Sequence, residues 1–275
     1  MPSSPESATA EPLRLGELLK HWRARRACSQ LALALDTGLS QRHLSFIESG
    51  RSQPSRAVLL RLAQSLDMPL RDRNALLLAA GHAPEFVEGA WNADEMQVVT
   101  RALQRLLRQH EPFPALVLNH RWDVLHVSEA APRFFGRFTD LARRARPRNL
   151  LGLLLDPQGL RPAIDAWPDV AAALLGRLKR EATGGVMDPS VVPLARELEA
   201  LAGAGEEVDP PQARLPVVPV GFKDGSAVRR YFSLVSTVGT PRTVAAQELR
   251  VECMVPADDD TERWHLATFG RPGAA

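Results

Sequence analysis

The chain has few of the groups that build disulfide frameworks, metal centres or membrane anchors. Its two cysteines, Cys28 and Cys253, are far apart in sequence, which argues against a disulfide framework and a thiol-ligated metal site. No apolar run approaches the roughly 18 residues of a membrane span. The N-terminus also lacks the basic and apolar regions of a signal peptide. We therefore expect a cytoplasmic protein without a membrane partner.

Histidines and acidic residues are too scattered to indicate a metal site. Among the seven histidines, His120 and His126 flank a predicted turn, but no Cys, Asp or Glu cluster completes a metal-ligand spacing. The acidic run Asp258–Asp260 with Glu262 favours a solvated or helix-capping turn over a cation site. The sequence accordingly predicts no metal, no cofactor and no catalytic residues.

Positive charge is concentrated in the first part of the chain. From Arg14 to Arg73 there are eleven Arg and Lys residues against five Asp and Glu, whereas the part from Trp91 onward has 23 of each. The net charge of +2 hides this asymmetry. An excess of positive charge over a short segment suits DNA phosphates. The length of 275 residues, 45% of them apolar, is enough for two globular domains.

Residues 29–51, S-Q-L-A-L-A-L-D-T-G-L-S-Q-R-H-L-S-F-I-E-S-G-R, predict two short helices joined by a tight turn. Ser29 and Ser40 precede the two helical patterns and can cap them. Gly38 lies in the turn, and Gly50 follows the second helix where a left-handed residue is favoured. This pattern is typical of a helix-turn-helix motif.

The second of these helices has distinct faces. Leu44 and Ile47 are expected to point inward, against Leu31, Ala34 and Leu35. Gln and Arg side chains read adenine and guanine edges, and Ser and Phe can bond a base or contact a thymine methyl. The outward side chains are Gln41, Arg42, Ser45 and Phe46. An ordinary helical hairpin with a solvated polar face remains the alternative.

Domain boundaries follow from periodicity and turn residues. We predict a disordered N-terminus over 1–12, a five-helix domain over 13–81 and a linker with a connecting helix over 82–110. In the second domain, 111–265, two strands at 115–118 and 123–127 precede helical pieces. Three strands follow, at 215–222, 228–238 and 247–255, with the Pro-rich 215–222 at an edge. This order is that of a PAS-like sheet, so the predicted fold class is α+β; 266–275 is a tail.

The sequence resembles a known family in both parts. The runs S-Q-L-A-L-A (the pattern S-Q-x-x-L-A), G-L-S and I-E-S-G-R are similar to the lambda-repressor/Cro type of helix-turn-helix, the XRE family. The runs R-N-L-L-G-L-L-L-D-P-Q-G-L-R-P and E-L-R-V-E-C-M-V-P-A-D-D-D-T resemble the branch with an MmyB-like ligand-binding domain. The chain has Ser128 where this branch tends to have Asn. The resemblance implies a bacterial transcription regulator, not an enzyme.

The resemblance also implies roles for individual residues. Arg23 and Glu48 would form an ion pair between the first helix and the reading helix. Gln30 and Arg51 would contact the DNA backbone, and His43 a phosphate or a base. The predicted DNA-binding set is therefore Gln30, Ser40, Gln41, Arg42, His43, Ser45, Phe46 and Arg51. Because one reading helix covers only a half-site, we expect a homodimer on a near-palindromic double-stranded operator.

A PAS-like sheet under a helical cover can enclose an apolar ligand pocket. The residues expected around it are Leu116, Leu118, Phe134, Phe135, Leu150, Leu154, Trp167, Tyr231 and Phe232. Each could instead belong simply to the core. The resemblance implies that the ligand is small, apolar and fatty-acid-like.

Other functions stay open at this point. The second domain could bind a protein partner and no ligand, or the chain could be an antitoxin-like autorepressor. A self-cleaving repressor would need a Ser–Lys dyad cutting a bond such as Ala80–Gly81. Lys179 and Lys223 are the candidate lysines beyond that bond, and neither has a recognisable nucleophilic serine in a matching sequence context.

Overall fold

The computed structural model describes residues 14–89, 91, 93–144, 146, 148–181, 191–202, 217 and 219–270. Its two compact units, Met1–Glu88 and Gly89–Ala275, each have their own hydrophobic core. The described part of the first unit is helical, and in the second unit helices cover a sheet, so the predicted α+β class is confirmed. No helix among the described residues is both long and apolar enough to cross a membrane.

Five helices form the described part of the first unit, as the apolar periodicity predicts. Their inward faces meet in one core, where Leu19, Leu44 and Ile47 have no exposed surface. Burial of these stripes, rather than intrinsic helix propensity, supplies most of the stability of such short helices. The helices are α1 (Leu15–Arg25), α2 (Gln30–Thr37), α3 (Gln41–Glu48), α4 (Arg56–Ser65) and α5 (Leu70–Ala79).

The turn between α2 and α3 has the predicted caps. The Ser29 hydroxyl accepts a hydrogen bond from the Ala32 amide, and the Ser40 hydroxyl accepts one from the His43 amide, both at 3.1 Å. Gly38 ends α2 with a φ of 67°, in the left-handed region that a glycine adopts without strain. These contacts fix where α3 begins and therefore which of its side chains face outward.

The inward face of α2 differs from the prediction. Ala34 is buried, but Leu31 and Leu35 are 52% and 74% exposed, so their assignment to the core is wrong. Leu33 takes the inner position instead, with no exposed surface. Because Leu31 and Leu35 are four residues apart, they lie on one helical face, and that face points to solvent.

A buried carboxylate ties α1, α2 and α3 together. Arg23 donates to both oxygens of Glu48, with Nε–Oε1 at 2.9 Å and Nη2–Oε2 at 3.2 Å. The Gln30 amide donates to the same carboxylate at 2.7 Å. The hydrogen bond to Glu48 raises the pKa of Arg23, so this guanidinium remains charged. Since the Glu48 side chain is only 1% exposed, it depends on these donors to offset its desolvation.

The second unit contains a five-stranded antiparallel sheet in the order β2-β1-β5-β4-β3. The predicted hairpin joins the first two strands, with Val117 opposite His126. The third strand lies at an edge, as expected, but it begins at Val220, later than the predicted 215–222, of which residues 215, 216 and 218 lie outside the described residues. The strands are β1 (Ala115–Leu118), β2 (Val124–Val127), β3 (Val220–Asp224), β4 (Ala227–Thr237) and β5 (Arg250–Pro256).

Helices cover both faces of this sheet. One face packs against α6 and α11 in a small core with Ala115 and Val117. The other face packs against the remaining helices in a larger core with Leu116 and Leu118. Adjacent residues of β1 thus point to opposite cores. The helices are α6 (Gln97–Gln109), α7 (Ala130–Gly136), α8 (Leu150–Leu155), α9 (Trp167–Glu181), α10 (Val192–Ala202), α11 (Val244–Glu248) and α12 (Asp259–Phe269).

Two elements near the C-terminus differ from the prediction. Gln247 and Glu248, assigned to a strand, end α11, and the strand begins at Arg250. The acidic run starts α12, where Asp258 caps the helix by accepting the Thr261 amide at 2.7 Å. This helix continues to Phe269, past the predicted domain end at 265.

A buried histidine joins α12 to β4 and to the segment after α6. His265 has no exposed surface, and its two ring nitrogens lie 3.0 Å from the Pro112 carbonyl oxygen and 2.8 Å from the Tyr231 hydroxyl. A carbonyl oxygen can only accept, so Nε2 carries the hydrogen and Nδ1 accepts from Tyr231. Burial lowers the pKa of His265, despite the opposing effect of the Pro112 bond; Arg133 and His110 lower it further.

We expect the stability of the second unit to depend on this histidine at acid pH. Below pH 6.5, the ordinary pKa of histidine, the His265 imidazole is protonated in the unfolded chain, whereas in the folded chain it stays neutral until the pH reaches its lower pKa. Stability is therefore full above about pH 6.5 and falls by up to about 1.4 kcal/mol per pH unit as pH drops towards the folded pKa. Urea unfolding from pH 8 to 5 should show this slope, reduced in H265Q and retained in H126Q. An unchanged slope in H265Q would contradict this assignment.

We also expect the Arg23–Glu48 pair to stabilise the first unit. R23L removes the arginine donor and leaves the buried Glu48 carboxylate with the Gln30 donor alone. This change should lower the free energy of unfolding by about 2–3 kcal/mol. The loss is smaller than for a fully buried pair, because the Arg23 side chain is 21% exposed. In the exposed Arg56–Glu85 pair the side chains are 48% and 38% exposed, so R56L should cost less than about 1 kcal/mol. Urea unfolding of the full chain measures both, and equal losses would refute the distinction.

Candidate DNA interface and ligand cavity

The outer face of α3 presents polar side chains at its N-terminal end. Gln41 and Arg42 are exposed, while Leu44 and Ile47 point into the core. Ser45 and Phe46 are half-buried, so they contribute part of their surface to this face. The guanidinium of Arg42 lies 5.3 Å from the Phe46 ring centroid, a distance at which a cation–π contact holds the arginine along the helix.

The flanking predicted contacts surround this face. His43 is half-buried, with Nε2 at 3.5 Å from the Ser52 hydroxyl, and Arg51 is exposed just beyond the end of α3. Gln30 uses one amide hydrogen on Glu48, which leaves its second hydrogen and its oxygen for another partner. The backbone N–H groups of the first turn of α3 lie at the same end as Ser40. This arrangement suits an acceptor such as a phosphate.

The larger core of the second unit contains a cavity of about 60 Å³ between the sheet and α7 and α8. Ten of the eleven described lining residues are apolar, and they come from β1, β2, α7, α8 and the loops around α8. They are Leu116, Val124, Val127, Ala131, Pro132, Phe135, Leu141, Leu150, Leu153 and Leu160; the eleventh is Arg148. Ligand pockets usually measure about 300–1,000 Å³, so a long-chain ligand would require these side chains to move apart.

The structure separates the nine predicted pocket residues into three groups. Leu116, Phe135 and Leu150 line the cavity. Five others pack in or against the larger core: Leu118, Phe134, Leu154, Tyr231 and Trp167. Phe232 follows Tyr231 in β4, so it points to the opposite face of the sheet and away from the cavity. Assigning both residues to one pocket overlooked this alternation.

Sequence reasoning missed eight of the lining residues. Val124 and Val127 lie in a predicted strand, but the sequence pattern does not assign them to the pocket. Helical periodicity could have indicated Ala131, because it is four residues from Phe135 and lies on the same face of α7. Arg148 and Leu160 lie in loops, where no periodicity indicates direction.

Two side chains fix the start of α7, the helix that lines one side of the cavity. Glu111 accepts the Ala130 amide at 3.2 Å, and Ser128 accepts the Ala131 amide at 3.3 Å and the Ala115 amide at 3.0 Å. Ser128, the residue at which the chain departs from the family pattern, thus joins β1 to α7 through these two hydrogen bonds. Glu111 belongs to the segment directly after α6. The cavity wall is therefore bonded to the end of α6.

The two histidines at the β1–β2 hairpin have separate partners. His120 Nδ1 lies 2.7 Å from a Glu248 oxygen, and the His126 ring lies 6.3 Å from Trp91. In the parts of the chain that the structure describes, no three His, Cys, Asp or Glu side chains are grouped to hold a metal ion.

Two protein-family models match the chain, one in each unit. The family model described as "MmyB-like transcription regulator ligand binding domain" matches residues 99–267, more than half of the chain, and the "Helix-turn-helix domain" model matches residues 14–76. No curated protein matches the chain. The first match spans the sheet and the cavity, and the second spans the capped α2–α3 pair. The chain therefore belongs to the MmyB-like transcription regulators, with an N-terminal DNA-binding domain and a C-terminal ligand-binding domain.

Proposed function

We propose that this protein binds a specific operator through α3 and that a fatty-acid-like ligand in the second domain changes its affinity for that operator. The observation that carries the proposal is the apolar cavity, which lies within the span of the ligand-binding family and is bonded through α7 to the segment after α6. The polar outer face of α3 supplies the DNA-binding half of the proposal.

Base recognition falls to the exposed end of α3. Gln41 can pair with adenine and Arg42 with guanine in the major groove, and Ser45 and Phe46 lie one turn further along. Ser40, His43, Gln30 and Arg51 border this face and are suited to phosphate contacts, which position a protein without reading sequence. The Arg23–Glu48 pair supports the reading helix from behind.

A homodimer follows from the size of this reading element. An α3 of eight residues spans about 12 Å, which fits one half-site. Two copies related by a two-fold axis would read a near-palindromic operator. The exposed side of α6, which includes Val98 at 71% exposure, is available for pairing.

Ligand control requires two arrangements of the second domain that a ligand distinguishes. A chain of methylenes entering the cavity must displace lining side chains, including Phe135 and Pro132 of α7. The amide of Ala130, at the start of that helix, donates to Glu111 in the segment after α6. Displacement of α7 would therefore also displace this segment. In a dimer that uses α6, this movement would change the spacing between the two reading helices.

Other functions receive less support from the side chains involved. For self-cleavage, a lysine base must lose solvent to become neutral. Lys179 is 55% exposed and paired with Glu199, and Lys223 is exposed on β3. A protein-interaction role for the second domain would not require an apolar cavity. An antitoxin-like autorepressor would use the same DNA interface, and target genes distinguish it.

We expect R42A to reduce operator recognition selectively. Loss of one bidentate base contact should cost about 1–3 kcal/mol on the cognate operator and little on unrelated DNA. R51A, which removes a predicted phosphate contact, should weaken both complexes similarly and reduce the salt dependence of binding by about one ion. Fluorescence anisotropy with a selected operator and a scrambled duplex measures both variants. Equal losses on both DNAs in R42A would assign that arginine to the backbone.

We expect the purified protein to carry or accept an apolar ligand of a few hundred daltons. Native mass spectrometry should show this excess mass on a dimer, and solvent denaturation should remove it. L116W, which fills the cavity with a larger side chain, should lose the excess mass and stay folded. A clean dimer mass that remains unchanged after incubation with fatty acids would favour the protein-interaction alternative.

A further inference from the structure

One charged side chain lines the apolar cavity among the residues that the structure describes. Arg148 lies in the loop between a 3-10 turn, Leu141–Arg143, and α8. Its Nη2 donates to the Leu141 carbonyl oxygen at 2.6 Å. Its Nε is buried and has no hydrogen-bond partner among the described residues. A buried donor without an acceptor destabilises a protein, and the loss is larger on a charged group, so an acceptor at Arg148 Nε would be favourable.

Nearby carboxylates of the described chain are bound elsewhere. Asp156 pairs with Arg144 and accepts the Gln158 amide, and Asp140 caps the 3-10 turn and pairs with Arg143. Asp123, at the start of the hairpin's second strand, accepts from Asn119 and Asn149 side chains. None of these contacts reaches Arg148.

The backbone holds Arg148 in place beside the cavity. Its carbonyl oxygen accepts the Val124 amide at 2.7 Å, which fixes the loop to β2. The next residue, Asn149, caps α8 by accepting the Gly152 amide at 3.0 Å. Because its carbonyl oxygen is bonded to β2 and the next residue caps α8, the main chain of the arginine is held in place before a ligand binds, and less ordering is needed on binding.

The cavity shares two lining residues with an open cleft next to it. Pro132 and Leu141 line both the apolar cavity and an open cleft of about 600 Å³, which Arg137, Thr139 and Asp140 also line. Leu141 is the residue whose carbonyl oxygen bonds to Arg148. An amphipathic molecule entering from the cleft would place its apolar tail in the cavity and its polar end beside the guanidinium.

We propose that Arg148 binds the anionic head group of the ligand and makes the cavity selective for amphipathic acids over neutral amphiphiles of the same length. This inference rests on the proposed ligand function. Guanidinium groups bind carboxylates through two parallel, charge-assisted hydrogen bonds. A carboxylate would occupy the Nε donor that has no partner, whereas an alcohol or an ester supplies no charge and a weaker acceptor.

The test compares matched ligands on the full-length protein after removal of co-purified lipid. Dodecanoic and hexadecanoic acids are titrated against dodecanol and hexadecanol by competition with a fluorescent fatty acid. The wild type should bind each acid about 10- to 100-fold more tightly than its alcohol, the range of one charge-assisted contact. In R148Q the affinity for acids should fall by the same factor, while the affinity for alcohols stays unchanged.

Two further variants keep the result interpretable. R143Q removes an exposed arginine of the preceding 3-10 turn, paired with Asp140, and should retain the wild-type preference. R148K keeps the charge but lacks the forked donor geometry of arginine, so its preference for acids over alcohols should be intermediate. This variant also tests the proposal if R148Q fails to fold. Equal binding of acid and alcohol by the wild type overturns the role of Arg148 alone. Failure of the wild type to bind either ligand overturns the proposed apolar ligand and this inference together.

Discussion

The alternation of side chains along β1 is the constraint on which the second domain depends. All four residues of this strand are buried, and each is committed to one face of the sheet. Leu116 and Leu118 face the larger core and its cavity, while Ala115 and Val117 face α6 and α11. A shift of one residue in register would exchange these two sets. The apolar cavity and the α6 packing surface therefore lie on opposite sides of the same central strand.

This geometry gives the two halves of the protein different mechanical roles. The reading helix of the first unit is rigidly supported, since Glu48 is buried and bonded to Arg23 and Gln30 from two other helices. The cavity is instead lined mainly by apolar side chains from short elements, which can separate without breaking side-chain hydrogen bonds of their own. A regulator needs both properties, because the DNA-reading surface must keep its shape while the ligand domain changes.

The sequence was informative wherever polarity contrasted along an element. The serine caps and Gly38 predicted α2 and α3, and two short β-like runs on either side of a turn predicted the hairpin. Prediction failed in α2, where Leu31 to Leu35 is apolar at every position, so periodicity could not choose the inward face. It failed at α11 because Gln247 and Glu248 continue directly into a strand. Pocket residues such as Arg148 are brought together by tertiary contacts that leave no local pattern, so only the structure assigns them to the cavity.

The central claim is that occupancy of the cavity controls operator affinity, and one measurement tests it directly. The operator dissociation constant of the delipidated protein is compared with that of the same protein saturated with hexadecanoic acid, on a duplex selected from random DNA. The account predicts a change of about 5- to 150-fold, the usual range of allosteric coupling. By reciprocity, operator DNA should change the affinity for the acid by the same factor. Identical operator affinity with and without bound acid would contradict the account.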